Sequence, residues 1–183
     1  MFHVERVKSI AMNLKNLIRE IPDWPKPGIN FKDITILLRD KDAFHYVVDD
    51  ISAFYKDKQI TKIVTLESRG FIIGGAIAYQ LNAGFIPIRK KNKLPCETCQ
   101  ETYALEYGTD QVEMHTDALD EDDVVLIHDD LLATGGTAMA ALNLVRKMGV
   151  KNIYFSFLID LSFIQNSIKQ QIFTYPVHTL ISY

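Results

Sequence analysis

The chain is poor in cysteine, in long apolar runs and in excess charge of either sign, and each shortage excludes a class of protein. Two of its 183 residues are cysteine, Cys96 and Cys99, too few for a disulfide-stapled secreted scaffold. Their C-x-x-C spacing would suit zinc only with two further ligands nearby, and none is evident. A redox pair would want a helix N-terminus after a strand, whereas these residues sit in a polar stretch and read as reduced thiols in a mobile loop. No apolar run approaches the roughly 20 residues of a membrane span. The opening Met1-Phe2-His3-Val4-Glu5 lacks a basic segment followed by an apolar core, so it does not read as a secretory signal. The expected compartment is the cytoplasm, with no membrane partner. A net charge of −3 leaves no global basic field, and no nucleic-acid partner is expected. With no internal repeat or low-complexity linker, the length argues for a single domain over 1–183.

The most informative segment that is present runs from Val124 to Thr137. Val124, Val125, Leu126 and Ile127 form an apolar run that reads as a buried strand. It stops at His128 and two adjacent carboxylates, Asp129 and Asp130. The loop Ala133-Thr134-Gly135-Gly136-Thr137 follows, and Ala141, Leu144, Val145 and Met148 then recur at helical spacing up to Gly149. This is strand, loop and helix, with the loop at the C-terminal end of a parallel strand, where open α/β sheets bind ligands. Glycines without Cβ let an anion approach their backbone. The first N–H groups of a helix have no helical partner and carry partial positive charge. Thr134 and Thr137 add hydroxyl donors, so the loop suits a phosphate. The two carboxylates would repel that phosphate at its own site. They suit sugar hydroxyls, or a hard divalent cation held directly or through water. No Gly-Lys-Ser/Thr follows the glycines, so this is not a Walker A loop. A plain strand–turn–helix with acidic turn residues is the alternative.

Elsewhere strands alternate with helices. Val7, Ile10, Ala11, Leu14, Leu17 and Ile18 make an apolar helical stripe ended by Pro22 and Pro25. Phe44, Val47, Val48, Ile51 and Phe54 make a second. Residues 63–66 read as a strand, 71–81 as a buried helix with close-packing glycines at 74 and 75, and 85–88 as a strand whose Pro87 hints at an edge or irregularity. Residues 90–101 are polar and irregular. Residues 102–107 and 111–115 alternate around Gly108-Thr109-Asp110, which signals a β-hairpin. Residues 153–159 are a further strand, and 178–182 a last one. The expected fold is α/β in three layers, a central mainly parallel sheet flanked by helices.

Three other groups of residues carry chemistry. Ser68 and Arg69 lie between a strand and a helix; Arg69 is either a surface arginine at a turn or a bidentate partner for phosphate. Arg89, Lys90, Lys91 and Lys93 put four cations into five residues directly after a strand. Such a run is commonly a solvated face, but it also suits a leaving group of several negative charges. Phe31 follows a Pro-x-Pro-Gly turn, where an aromatic residue most often plugs the core. Glu106, taken alone, reads as a solvent-facing glutamate on a strand.

The string from Asp129 to Thr137 resembles the phosphoribosyl-pyrophosphate (PRPP) binding motif of the type I phosphoribosyltransferases, in the form found in their adenine branch. Further matches are Pro25-Lys26-Pro27-Gly28-Ile29-Asn30-Phe31-Lys32-Asp33-Ile34, Glu67-Ser68-Arg69-Gly70-Phe71, 89–95 and Leu105-Glu106-Tyr107-Gly108, so that the likeness spans about Pro25 to Leu161. The resemblance implies the type I phosphoribosyltransferase fold. Residues 1–34 would be an N-terminal helix and base-binding hood segment, and 90–116 a flexible loop and hairpin. It implies a transferase of purine salvage that joins adenine to PRPP, giving AMP and pyrophosphate, with Mg²⁺ as cofactor. It assigns the 5′-phosphate to Ala133, Thr134, Gly135, Gly136 and Thr137. The ribose, and Mg²⁺ brought by PRPP, fall to Asp129 and Asp130, the metal directly or through water. Pyrophosphate falls to Ser68, Arg69, Arg89, Lys90 and Lys93, and adenine to Asn30, Phe31, Lys32 and Leu161. Glu106 becomes the acid/base at the purine N7 edge, under a hood containing Tyr103 and Tyr107. The loop after Glu67 often carries a cis non-proline peptide in this family. Arg89 would reach a neighbouring subunit's site, so a homodimer is implied. The chain departs from the family at Lys32, commonly arginine, at Lys91-Asn92, commonly Pro-Gly or Arg-Gly, and at His128, usually apolar. Two alternatives stand: a non-catalytic PRPP-sensing regulator, which would need a DNA-binding addition that the roughly 30 residues before the Pro-Gly turn do not supply, and a phosphoribosyltransferase for another base.

Overall fold

The computed structural model describes residues 13–104 and 108–183. Val7, Ile10 and Ala11 of the first helical stripe, and Leu105, Glu106 and Tyr107 of the hairpin, lie outside them. The chain divides after Tyr46 into two compact units.

In the first unit the described end of the expected first helix is a short helical turn followed by extended chain. Leu14–Leu17 forms one 3-10 turn closed by the Ile18 N–H on the Lys15 carbonyl. Strand β1 (Arg19–Ile21) follows and pairs antiparallel with β2 (Phe31–Asp33), Glu20 opposite Lys32 and Ile21 opposite Phe31. Strand pairing overrides the helical period here. The turn between them is drawn in by the Asp23 carboxylate, which accepts the Gly28 N–H at 2.8 Å, and by the Trp24 N–H on the Ile29 carbonyl. Gly28 adopts a φ of 87°, a region that glycine enters without penalty. The Asp33 carboxylate accepts the Thr35 N–H and hydroxyl at the start of a short helix α1 (Thr35–Arg39), which the hydrophobic pattern does not announce. Helix α2 (Lys41–Tyr55) starts on the Asp40 carboxylate, which accepts from the N–H groups of Asp42 and Ala43, the usual N-cap bond.

In the second unit Val47, Val48 and Ile51 of α2 are buried as expected, but Phe54 lies on the exposed flank, stacked on His178. Tyr55 takes the core position and donates its hydroxyl to the Phe155 carbonyl. A seven-stranded sheet forms the middle of this unit, in the order β5-β6-β4-β3-β7-β8-β9. Its strands are β3 (Lys62–Leu66), β4 (Gly84–Lys90), β5 (Thr98–Ala104), β6 (Thr109–His115), β7 (Val124–Leu132), β8 (Asn152–Asp160) and β9 (Val177–Ser182). The pairs from β4 through β9 are parallel, while β5 and β6 form an antiparallel hairpin that joins β4 through Arg89 and Lys90. The hairpin begins earlier than the polar pattern indicates. Residues 98–101 are strand, so Cys99 sits on β5 with its thiol near the Met114 carbonyl rather than in a loop. Pro87 lies where β4 is paired with β3 alone, and its missing N–H costs no ladder bond.

Helices α3 (Gly70–Gln80), α4 (Gly136–Lys147) and α5 (Ser167–Ile172) complete the layers. Strand residues alternate between faces. Val64, Leu66, Val125 and Ile127 pack with Ala138, Ala141, Leu142 and Val145 of α4 in the core. Thr65 and His128 meet Gly74 of α3, where a Cβ would collide with the Thr65 methyl. Gly75 has open space, so only one of the two expected close-packing glycines packs closely. The three-layer α/β expectation holds.

Candidate functional site

A cavity of about 250 Å³ opens at the C-terminal ends of β3 and β7. Its walls are the 67–69 loop, Tyr103 of the hairpin, Asp129 and Asp130, and the loop through Ala133, Thr134, Gly135 and Gly136 into Thr137 and Ala138. Sequence residues far apart are gathered because parallel strands end on the same side of the sheet.

The glycine loop has a geometry that an anion could use. Gly135 stands at the N-cap of α4 with a φ of 86°, a left-handed conformation that side chains rarely tolerate. It has no side chain with which to cap the helix, so the first N–H groups of α4 are left for a ligand. The Gly135 carbonyl accepts the Met139 N–H and closes the first helical turn. From behind, a Cβ on Gly135 would meet Ile172 at 2.9 Å.

Asp129 and Asp130 are neighbours on β7 but not equivalent, because successive residues of a strand face opposite ways. Asp130 is buried, and its Oδ2 lies 3.0 Å from Arg69 Nε. Asp129 is only partly covered and sits against Gly70, where an added Cβ would come within 2.8 Å of its Oδ1. Burial, then the charge of Asp130, raise the Asp129 carboxyl well above its usual range; the Asp130 N–H, donated at 2.9 Å, opposes them. Burial also raises Asp130, and Arg69 offsets only part of this. Two close carboxylates in poor solvation favour protons or a cation.

Arg69 is thus held by Asp130 at the start of α3. The peptide between Glu67 and Ser68 is cis, as the resemblance implies. Glu67 grips Arg89 through both carboxylate oxygens, at 3.2 and 3.3 Å, and accepts the Lys90 N–H. Burial would raise Glu67, but Arg89 and that N–H outweigh it and hold the carboxyl below its usual value. Arg89, Lys90 and Lys93 do not line the cavity. Arg89 also donates to the Lys93 carbonyl, Lys90 pairs with Asp110 at 3.3 Å, and the Glu113 carboxylate accepts the backbone N–H groups of Lys93 and Leu94. Tyr103 does line it; burial raises its phenol, whose hydroxyl donates to Asp110 at 3.2 Å and lies against Thr137. Glu106 and Tyr107 fall outside the described residues.

His128 is fully enclosed, its Nδ1 3.3 Å from Ser156 Oγ, and burial pulls its pKa down to about 3. It is a neutral group packed between Ser156 and Gly74. Leu161 is buried beside the end of β7, its N–H on the Leu132 carbonyl, and does not line the cavity.

In the first unit, Phe31 is half-buried and meets Trp24 edge-on at 4.5 Å. Glu20 Oε2 accepts the Asn30 amide at 2.7 Å and pairs with Lys32 at 2.8 Å. Those two bonds hold the Glu20 carboxyl below its usual value. The side chains of Asn30 and Lys32 are therefore both turned onto Glu20. Sequence reasoning missed Glu20, the clamp of Glu67 on Arg89, and Asn166, whose amide reaches the Thr134 carbonyl at 3.0 Å. Asn166 ahead of a short apolar run carries an N-cap signal; its contact across 32 residues carries none.

Comparison with known proteins agrees with this geometry. A family model described as phosphoribosyl transferase domain matches residues 38–162. The chain is 55% identical over 148 residues to the adenine phosphoribosyltransferase of Phocaeicola vulgatus, covering 81% of this chain and 85% of that one. The crystal structure of adenine phosphoribosyltransferase from Rhodothermus marinus superposes with a TM-score of 0.87 at 47% identity, over 93% of this chain and 96% of the other. The Giardia lamblia enzyme complexed with 9-deazaadenine gives a TM-score of 0.87 at 39% identity, over 93% and 96%.

Proposed function

The chain belongs to the adenine phosphoribosyltransferase family, a transferase that joins adenine to PRPP to give AMP and pyrophosphate in purine salvage, and we propose that PRPP is held in the cavity at the ends of β3 and β7. One observation carries this placement. The uncapped start of α4, with Gly135 at φ 86°, and the pair Asp129 and Asp130 share a single cavity. That combination suits a molecule with a phosphate and a ribose diol.

In this reading the 5′-phosphate rests on Ala133, Thr134, Gly135, Gly136 and Thr137. Asp129, the more open carboxylate, accepts from the ribose hydroxyls, while Asp130 holds Arg69 in place. Ser68 and Arg69 meet pyrophosphate at the cavity wall. Arg89, Lys90 and Lys93 supply positive charge around it and must exchange Glu67 and Asp110 to touch it. Displacement at the anomeric carbon passes through an oxocarbenium-like state, so water has to be kept out. Tyr103, which lines the cavity, helps to exclude it, and Tyr107 is assigned the same task. Glu106 acts as the acid/base at the purine.

Mg²⁺ fits this donor set. Two adjacent carboxylates, both raised in pKa by burial, offer hard oxygen ligands. Among the described residues no cluster of three or more His, Cys, Asp or Glu side chains could hold a metal alone; the remaining ligands come from PRPP and water. Held by Asp129 and Asp130 with PRPP, the ion would supply positive charge to offset that of the leaving pyrophosphate.

Adenine is read by the backbone around Asn30 and Lys32, with Phe31 stacked on the ring. The support is that Glu20 occupies the Asn30 and Lys32 side chains. Fixed backbone polarities cannot suit both adenine and hypoxanthine, whose edges are reversed. Two mismatches at about 1–3 kcal/mol each give discrimination of order 10²–10⁴.

The protein is a homodimer and one transferase domain in this reading. Helix α3 is apolar all round, GFIIGGAIAYQ, yet Ile72 is 48% and Tyr79 91% exposed. A helix of that composition is normally covered, and a second copy would cover it. The free thiols Cys96 and Cys99 accord with a reducing cytoplasm.

The test is AMP formation from PRPP with adenine, hypoxanthine and guanine across a Mg²⁺ titration. Adenine is expected to lead by at least 10²-fold in kcat/KM, with activity rising with Mg²⁺. Comparable use of hypoxanthine would overturn the base assignment. Sedimentation should show two chains, and a fully active monomer would overturn the dimer.

A further inference from the structure

We infer that Asn166 is a positioning residue for the 5′-phosphate: besides capping α5, it fixes the peptide plane that aims the glycine loop. The inference rests on the PRPP site proposed above.

The two halves of the Asn166 side chain have different partners. Its backbone is extended (φ −156°, ψ 170°), and its Oδ1 accepts the Lys169 N–H at 2.8 Å. That is an ordinary helix cap and needs only an acceptor. The other half is not used by the helix. Its Nδ2 donates to the carbonyl of Thr134 at 3.0 Å, inside the loop that forms the anion cradle.

A trans peptide carries its C=O and N–H on opposite sides. Holding the Thr134 carbonyl on the α5 side therefore turns the next N–H, that of Gly135, to the opposite side of the loop. Gly135 is sealed on the α5 side as well. A Cβ there would meet Ile172 Cδ1 at 2.9 Å, Ile168 Cγ2 at 3.4 Å and the Lys169 Cα at 3.6 Å. The rear of the loop is thus packed and its front lines the cavity. If the peptide rotated, the carbonyl would face the phosphate, exchanging attraction for repulsion.

The support behind Asn166 is rigid. Ile172 is fully buried, and Lys169, only 2% exposed, donates Nζ to the Leu161 carbonyl at 2.6 Å and pairs with Asp160 at 2.5 Å. Both partners belong to the end of β8 and the residue after it. A line of contacts runs from the sheet through Lys169 to α5, and from Asn166 to the loop. Preorganised donors of this kind cost no rearrangement when the anion arrives.

A cap alone and a cap that also aims the loop are separated by cap-preserving variants. Asn166→Asp keeps a capping oxygen of equal preference but presents an oxygen, not an N–H, to the Thr134 carbonyl. Asn166→Ser also caps and is too short to reach Thr134. Both are expected to melt close to wild type. The KM for PRPP is expected to rise about tenfold in the serine variant, the worth of one hydrogen bond, and further in the aspartate variant. The KM for adenine should change less than about twofold, since Asn166 touches nothing assigned to the base. Wild-type PRPP KM in the folded aspartate variant, or an equal rise in both KM values, overturns the inference. If the aspartate variant does not fold, the serine variant decides by the same criteria. Wild-type protein that makes no AMP from adenine and PRPP would overturn the function itself, a result distinct from any behaviour of the variants.

Discussion

The two ends of β7 carry the same residue type in opposite condition. At the N-terminal end, Asp123 is buried, yet its carboxyl lies below the usual range. Burial would raise it, but the Thr61 hydroxyl at 2.6 Å, the Asp120 N–H at 2.9 Å and Lys62 at 3.6 Å outweigh that. At the C-terminal end, burial raises both Asp129 and Asp130, and the charge of Asp130 raises Asp129 further, beyond what Arg69 and one N–H return. A satisfied carboxylate holds the fold together, whereas an unsatisfied one is held in readiness for something that arrives. The contrast separates a structural acid from the two proposed to bind PRPP.

The sharpest way to break this comparison is to neutralise the C-terminal pair. Asp129→Asn with Asp130→Asn is expected to lower kcat/KM for PRPP by roughly 10²–10⁴-fold, the loss of two charged hydrogen-bond acceptors. The melting temperature of the unliganded protein should hold or rise, since a repulsive buried pair is removed. Parallel loss of stability and activity in a thermal melt and a steady-state assay would dissolve the distinction.

The reciprocal experiment is Asp123→Ala. It strands the Thr61 hydroxyl, the Asp120 N–H and Lys62, and should cost about 2–3 kcal/mol in urea denaturation. Catalysis should stay within about twofold of wild type, the opposite pattern to the first pair.

Between the two ends, His128 gives a pH signature. In the unfolded chain it protonates near pH 6.5; in the fold burial holds its pKa at about 3. The unfolded state therefore binds more protons from pH 6.5 down to about 3. Stability falls through that window as pH is lowered, by up to about 1.4 kcal/mol per pH unit from this one group. His128→Gln should flatten the slope in urea midpoints measured against pH. An unchanged slope would mean that His128 is protonated in the fold.

The smallest effect is expected at Lys62, whose side chain is partly exposed and 3.6 Å from Asp123. Lys62→Met should cost less than about 1 kcal/mol, because the Thr61 hydroxyl and the Asp120 N–H remain. A larger loss would show that charge, and not hydrogen bonding, satisfies the N-terminal carboxylate.

The sequence by itself determined the parts whose physics is local. The apolar run 124–127 had to be a buried strand. The glycines at 135 and 136 had to end it in a turn that an anion can approach, and the alternation around Gly108 had to make a hairpin. Side-chain periodicity and glycine geometry do not depend on distant neighbours, so these elements were legible, and so was the glycine loop between strand and helix. Only the tertiary structure decided the rest. It turned residues 19–21 into a strand by pairing them with 31–33, against their helical period, because a pairing partner outweighs a weak local preference. It gave Asp130 to Arg69 and left Asp129 more open, a division that two identical letters cannot encode. It bound Arg89 to Glu67, put Glu20 on both Asn30 and Lys32, and brought Asn166 to Thr134. Each of these is a hydrogen bond or ion pair between residues 10 to 61 positions apart. Such a bond depends on direction and a distance of about 3 Å, which folding sets and residue order does not.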